Sequence, residues 1–339
     1  MIAVALSGGI DSAAAAVSLY EKGEKIIGMT MLLGDGMPDK DHMGFAAGVC
    51  KRLGVKHHII DLRAEFGQVK NYFCSSYLSS ETPNPCAVCN RDIKFGIMLK
   101  KALSLGAEGI STGHYTNLRC ENGRYFLAAT SWKNSQEYFM GLVSQDSLKR
   151  VIFPLAGLGR LQAEELAAGL GLEKEKRPSS QDVCFIKHGH VKFIEEQIGY
   201  ISGLGPITDI KGKRTGTHKG AINYTIGQRK GLVTAFGRRV YVLGINVNTN
   251  TVIAGDRSDW PHKGFYMGNV IYQKIPEVTG EFTCEVKVRY KQTPLLSVIR
   301  PCGNGLLVEY GDLWSPGQLC VAYDEIGAVL LAGIIEKPV

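Results

Sequence analysis

Leu6-Ser7-Gly8-Gly9-Ile10-Asp11-Ser12 decides how the rest of the chain is read. Upstream, Ile2-Ala3-Val4-Ala5-Leu6 is an apolar run suited to a buried strand. Downstream, Asp11 to Tyr20 is alanine-rich, with Val17 and Leu19 for packing, and predicts a helix. Strand, small-residue turn and helix start together form an anion cradle. Glycines let the backbone close in, and the unpaired N–H groups of a first helical turn point at a ligand. Ser7 and Ser12 add hydroxyls, and Asp11 is placed to hold a divalent metal on the anion.

A Walker-type loop would need Gly-Lys-Ser or Gly-Lys-Thr after four spacers, and this loop has neither. It resembles instead the PP-loop of ATP pyrophosphatases, which split ATP into AMP and pyrophosphate while adenylating an oxygen. The bland alternative is a glycine turn between strand and helix. Two hydroxyls and an aspartate in that turn favour the nucleotide reading.

Outward from the loop, Lys25–Leu33 and His57–Leu62 predict further strands, and Met43–Leu53 and Asp92–Leu105 predict helices. Gly109–His114 reads as the next strand and its exit. This alternation predicts a doubly wound parallel α/β sheet, with the loops after Leu6, Met31 and Thr112 facing one crevice. A hairpin turning at Asn122-Gly123 follows, then helices over Ser135–Leu148 and Leu161–Leu170. His57-His58 reads as two ordinary strand histidines, since neighbours on a strand face opposite ways. After Gly203-Leu204-Gly205-Pro206 the alternation stops, and short strands such as Val240–Val247, Thr251–Ala254, Phe282–Tyr290 and Leu306–Tyr310 run to the end. The expected organisation is therefore an α/β unit over 1–200, a small β-rich module over 201–262 and a C-terminal β-barrel over 263–339.

The chain has 339 residues, 45% apolar and 21% charged, which suits a soluble protein of two or three domains. No basic lead or apolar stretch of membrane-spanning length precedes or interrupts the pattern, so a cytoplasmic location with no membrane partner is expected. Net charge is +7, and from Tyr200 onward 16 Lys and Arg face 11 Asp and Glu. That bias suits a surface for a polyanion such as RNA.

Of nine cysteines, Cys50, Cys74, Cys120, Cys284, Cys302 and Cys320 sit in apolar or strand-like surroundings and are expected to be small core residues. Cys86 and Cys89 differ, lying in Glu81-Thr82-Pro83-Asn84-Pro85-Cys86-Ala87-Val88-Cys89-Asn90, at the entrance to a helix. Such a position is expected to lower the Cys89 thiol pKa. Cys184 lies in Ser179-Ser180-Gln181-Asp182-Val183-Cys184-Phe185-Ile186. Packing, a zinc site completed by His188 or His190, sulfur relay, and an iron–sulfur cluster with one open iron are all open readings.

Taken with SGGIDS, several motifs make the chain closely similar to tRNA-specific 2-thiouridylases. They are TPNPCAVCNRDIKF at Thr82–Phe95, GHY at Gly113–Tyr115, SQDVCFI at Ser180–Ile186, TDIKGKRTGTHKG at Thr208–Gly220, YTIGQRKGL at Tyr224–Leu232, VRYKQ at Val288–Gln292 and SPGQ at Ser315–Gln318. These enzymes replace O2 of the uridine at the first anticodon position with sulfur.

The resemblance implies ATP with Mg²⁺ on Leu6, Ser7, Gly8, Gly9, Ile10, Asp11 and Ser12, with Met31 and Gly113 beside the adenosine. It makes Cys89 the nucleophile and Cys184 the persulfide carrier. Asn84, His114, Gln136, Arg289, Tyr290 and Gln318 fall at the tRNA contacts, Asn84 in the loop that meets the target base. Partners would be tRNA and a sulfur donor: a persulfide carrier protein, a cysteine desulfurase or inorganic sulfide. Three departures stand out. Cys86 replaces the aspartate of many relatives, so Cys86, Cys89 and Cys184 become a candidate set for a [4Fe–4S] cluster. The linker Gly34–Met43 is short, and Asn134-Ser135-Gln136 stands where Lys-Asp-Gln is usual. The competing functions are a PP-loop synthetase for a small molecule and a non-catalytic tRNA-binding protein.

Overall fold

Hydrophobic alternation in the first strand sets the layering. The computed structural model describes residues 1–34, 36–38, 40–130, 135–171, 183–232, 234 and 236–339, so Asn134 and Ser179–Asp182 fall outside the described residues. The elements β1 (Ile2–Ala5), α1 (Ile10–Glu21), β2 (Ile26–Leu32), α2 (Lys40–Leu53), β3 (His57–Asp61) and α3 (Arg63–Leu78) lead the chain. Next come the one-turn helix α4 (Pro85–Val88), a π-helix over Cys89–Met98, α5 (Leu99–Ser104) and β4 (Gly109–Ser111). The hairpin β5 (Asn117–Glu121) and β6 (Arg124–Ala128) precedes α6 (Gln145–Leu148), β7 (Val151–Ile152), α7 (Arg160–Ala168) and α8 (His190–Ile198).

The parallel sheet runs β3-β2-β1-β4-β7, placing β1 at its centre. Ile2 and Val4 pack on α1 and α2, while Ala3 joins the opposite core with Phe66, Phe73, Phe95 and Met98. Ala13 to Ala16 are at most 1% exposed, so small side chains let α1 lie close to the sheet. The helix expected over 135–148 is instead a 3-10 turn at Glu137–Met140 and the short α6, because Glu137 and Tyr138 are drawn into contact with the barrel.

Beyond α8 the chain is all β. The strands β8 (Gly205–Thr208), β9 (Arg214–His218), β10 (Tyr241–Asn246) and β11 (Thr251–Gly255) form a sheet in the order β10-β11-β8-β9. A closed barrel follows, made of β12 (Gly264–Tyr272), β13 (Phe282–Lys287), β14 (Leu295–Cys302), β15 (Gly305–Glu309), β16 (Leu319–Tyr323) and β17 (Val329–Pro338), ordered β12-β15-β14-β13-β16-β17. Among the described residues no helix is long and apolar enough to cross a membrane.

The barrel is keyed into the α/β unit. Gln273, fully buried, accepts from the Leu127 N–H at 3.0 Å and donates to the Met140 and Gly141 carbonyls at 3.1 Å. Tyr138 donates to the Leu319 carbonyl at 2.7 Å. All nine cysteines are free thiols; Cys50, Cys74, Cys284 and Cys320 are buried as expected, whereas Cys120 and Cys302 are exposed. These two fall at strand ends beside the turns of hairpins, where a core side of the strand has run out.

Candidate active site

At the carboxyl end of β1 the Leu6–Ser12 loop is closed by its own side chains. Ser12 Oγ donates to the Gly9 carbonyl at 2.8 Å and accepts from the Ser7 N–H at 3.2 Å. Ser7 Oγ accepts from the Gly9 N–H at 3.3 Å. Gly8 has φ +79°, and a Cβ there would lie 2.4 Å from the His42 carbonyl oxygen, so glycine is required both by conformation and by the approach of α2. Met31 stands near the carboxyl end of β2, and Gly113 just beyond β4.

Asp11 is engaged from two sides. Tyr115 donates to it at 2.7 Å, and Arg160, the first residue of α7, donates to its two carboxylate oxygens at 3.0 and 2.8 Å. Tyr115 belongs to the GHY motif, but nothing in the sequence pairs it with Asp11, and Arg160 carries no signal beyond its residue type.

A short bridge links this loop to the thiols. A Cβ on Gly113 would lie 2.5 Å from the Asp11 carbonyl carbon, so the two backbones touch. The next residue, His114, has Nε2 3.4 Å from Lys94 Nζ and Nδ1 2.7 Å from Thr112 Oγ1. Desolvation and the Lys94 charge hold the His114 pKa well below its ordinary value. A neutral ring facing an ammonium must accept at Nε2, which assigns the proton to Nδ1 and makes Thr112 the acceptor there. The Lys94 charge acts in turn on Cys86, Cys89 and Cys184, and the thiols act on one another. The structure therefore brings the three cysteines together beside the nucleotide loop, although 95 residues separate Cys89 from Cys184.

Burial outweighs every favourable charge at these thiols. Desolvation pushes Cys89 up to about 11, with Lys94 opposing and Cys184, Cys86 and Asp92 reinforcing. Cys86 and Cys184 are raised as well, again with Lys94 opposing. Cys184 is exposed as a residue, yet its thiol is desolvated. The lowered Cys89 pKa expected from a helix entrance is thus corrected. Cys89 does not stand at a helix entrance: α4 opens at Pro85 and runs directly into the π-helix at Cys89.

Lys94 was missed for a geometric reason. Five residues along an α-helix places two side chains roughly 140° apart. The wider i→i+5 turn of a π-helix brings them close to one side. Gly96 accommodates that turn: a Cβ there would lie 2.8 Å from the Arg91 carbonyl oxygen.

The zinc reading fails, since His190 Nε2 faces the Ile222 carbonyl at 2.9 Å and its ring stacks on Tyr77. Among the described residues no group of three His, Cys, Asp or Glu is arranged to hold a metal ion.

The positions matched to RNA contacts surround the thiols and are tied to the protein. Asn84 Oδ1 caps α4 by accepting from the Ala87 N–H at 3.1 Å. Gln136 Oε1 accepts from the Tyr115 N–H at 2.9 Å. Gln318 Nε2 donates to the Thr82 carbonyl at 2.8 Å, while Ser315 Oγ reaches Thr82 Oγ1 at 3.0 Å, so the SPGQ segment grips the cysteine loop. Arg289 donates to the Ile226 carbonyl, and Tyr290 packs on Phe139 with ring centroids 4.5 Å apart. Asn90 donates to the Phe139 carbonyl at 2.9 Å, closing the circuit back to Cys89.

Comparison with known proteins bears on the family of the chain. A family model described as the tRNA methyl transferase HUP domain matches residues 1–188, and one described as the tRNA methyl transferase PRC-barrel domain matches 191–256. The tRNA-specific 2-thiouridylase of Gloeothece citriformis is 37% identical, covering 99% of both chains. That of Desulfitobacterium hafniense is 38% identical over 86% of this chain and 82% of its own. Among solved structures, the U34-tRNA thiolase NcsA from Methanococcus maripaludis with its [4Fe-4S] cluster aligns with a TM-score of 0.36 at 19% identity, over 58% of this chain and 62% of that one. Likeness that weak assigns no group to the cysteines here. Likeness to the curated relatives runs the full length of the chain, which belongs to the tRNA-specific 2-thiouridylase family.

Proposed function

We propose that the chain is an ATP-dependent tRNA-uridine 2-sulfurtransferase acting at C2 of the first anticodon nucleotide. One observation carries this: the Asp11–Gly113 backbone contact and the His114–Lys94 contact form a chain from the nucleotide loop to the lysine whose charge acts on all three thiols. A small-molecule synthetase or a non-catalytic RNA binder has no use for that bridge.

In the first stage uridine O2 attacks the α-phosphorus of ATP and pyrophosphate leaves, held by the backbone N–H groups of Ser7 to Ser12. Mg²⁺ brought with the nucleotide neutralises charge on the phosphates. Asp11, now paired with Arg160, is the carboxylate that would hold it. O2 of a stacked base is inaccessible, so the nucleotide is swung out of its stack.

In the second stage the terminal sulfur of a Cys184 persulfide attacks C2, and AMP leaves with the former O2. Cys89 thiolate then attacks Cys184 Sγ, forming a Cys89–Cys184 disulfide and releasing the base as the 2-thione. Two thiols are oxidised as the sulfane sulfur is reduced. An external dithiol restores them, and a persulfide carrier protein or cysteine desulfurase reloads Cys184. Lys94 steadies the anionic sulfur within a desolvated site. The division into 1–200, 201–262 and 263–339 assigns adenylation and sulfur transfer to the first unit and tRNA binding to the C-terminal barrel.

Nucleoside mass spectrometry of tRNA incubated with ATP, Mg²⁺ and a sulfur source, with and without oxygen, tests the reading. The expected product is 2-thiouridine at the first anticodon position with AMP and pyrophosphate in equal amount. ATP–pyrophosphate exchange in the absence of RNA would support a synthetase instead. Stoichiometric iron and sulfide in anaerobically purified protein, with turnover from inorganic sulfide, would replace the persulfide relay by cluster chemistry on Cys86, Cys89 and Cys184.

A further inference from the structure

The excess positive charge of the chain does not lie on the barrel. Residues 263–339 carry seven Lys and Arg against eight Asp and Glu, whereas 201–262 carry nine against three. The three carboxylates of this short stretch are committed within it. Asp209 accepts from the Lys211 and Lys213 N–H groups at 2.9 Å, spending its charge on the β8–β9 turn. Asp256 pairs with Arg238 at 2.6 Å, and Asp259 accepts from the Asp256 N–H at 2.8 Å. Arg257 pairs with Asp312 of the barrel. Among the described residues no carboxylate pairs with Lys211, Lys213, Arg214, Lys219, Arg229, Lys230 or Arg239, and all seven are exposed.

The Arg229–Lys230 turn is linked to the cysteine loop through a chain of contacts, and the sheet is tied to the same loop again at its opposite end. Gly227, at the turn that carries Arg229 and Lys230, lies so close to Arg289 that a Cβ would meet its guanidinium nitrogens at 2.8 and 3.0 Å. Arg289 leads to Tyr290, Phe139 and Asn90, the residue after Cys89. On the other flank the Val247 N–H donates to Ser80 Oγ at 3.0 Å, just before the cysteine loop.

We infer that the β8–β9 turn (Lys211, Lys213, Arg214) and the Arg229–Lys230 turn form a phosphate-gripping face for the RNA backbone flanking the base held at the thiols. The assignment rests on the proposed tRNA substrate. All five are exposed cations with no carboxylate partner among the described residues, which is what a polyphosphate backbone requires.

The test measures affinity for an in-vitro-transcribed tRNA with uridine at the first anticodon position across a salt series. It compares wild type, Lys211→Gln/Lys213→Gln/Arg214→Gln, Arg229→Gln/Lys230→Gln, and a charge-matched control, Lys56→Gln/Lys100→Gln/Lys101→Gln. ATP binding and melting temperature report folding, so one basic-face variant suffices if the other misfolds. The expected result is a slope of log affinity against log salt reduced by about two in either basic-face variant. Affinity should fall about tenfold or more at 0.15 M salt, with KM for tRNA raised and kcat at saturating tRNA unchanged, and with the control matching wild type. Slope and affinity equal to wild type in both variants would overturn the assignment while leaving the enzyme reading intact. Unchanged tRNA binding with slower sulfur uptake from a persulfide protein, but not from inorganic sulfide, would give the face to an acidic donor and overturn it too. Failure of wild type to bind or thiolate tRNA would overturn the enzyme reading and this assignment together.

Discussion

Cys89 is a thiol that its surroundings discourage from ionising. With its pKa pushed up to about 11, the thiolate fraction near pH 8 is about one in a thousand. A raised pKa favours the neutral form, so reactivity must climb with pH up to that value. Peptide-resolved iodoacetamide labelling should show Cys89 modification still accelerating through pH 10, and a plateau near pH 8 would contradict the buried environment. Lys94 opposes that burial, so Lys94→Met should slow Cys89 labelling at pH 9 while Lys94→Arg restores part of it. Cys89→Ser and Cys184→Ser should each abolish thiolation, measured as 2-thiouridine per tRNA, with ATP binding retained. Normal activity in either would refute the relay.

Two elements hold the nucleotide loop in shape, and the run from α4 into the π-helix carries two of the three thiols, Cys86 and Cys89. The Asp11–Arg160 pair joins α1 to α7 with about a third of each side chain exposed, so solvent screening limits its worth to about 1 kcal/mol or less. Asp11→Asn should therefore cost little in thermal stability but strongly weaken Mg-ATP binding by calorimetry. Gly8→Ala meets both a left-handed backbone and the His42 carbonyl, and should destabilise by about 1–3 kcal/mol and abolish ATP binding. Gly96→Ala should disturb the π-helix between Cys89 and Met98, visible as faster amide exchange there and altered Cys89 labelling.

The same elements show what residue order could and could not reveal. β1, its turn and α1 were legible because apolar run, glycines and alanine run follow one another locally. The barrel strands were legible by alternation. The π-helix was not, because Cys89 to Met98 carries the composition of an ordinary helix and the extra residue per turn is set by tertiary packing. Arg160 and Tyr115 meet Asp11 across 149 and 104 residues, a pairing that no local pattern encodes.

Across the whole molecule, the barrel contributes more than a surface. Gln273→Ala would strip the partner from the buried Leu127 N–H, an unsatisfied group costing about 1–3 kcal/mol. Its melting temperature should drop accordingly, and a variant as stable as wild type would show that the interface repacks. The grip of Ser315 and Gln318 on Thr82 has a further consequence for biosynthesis. The clasp spans 236 residues, so it closes only after the chain has been made through Gln318. A nascent chain can assemble its nucleotide cradle early, while its sulfur-handling loop stays unlatched until Ser315 and Gln318 reach it.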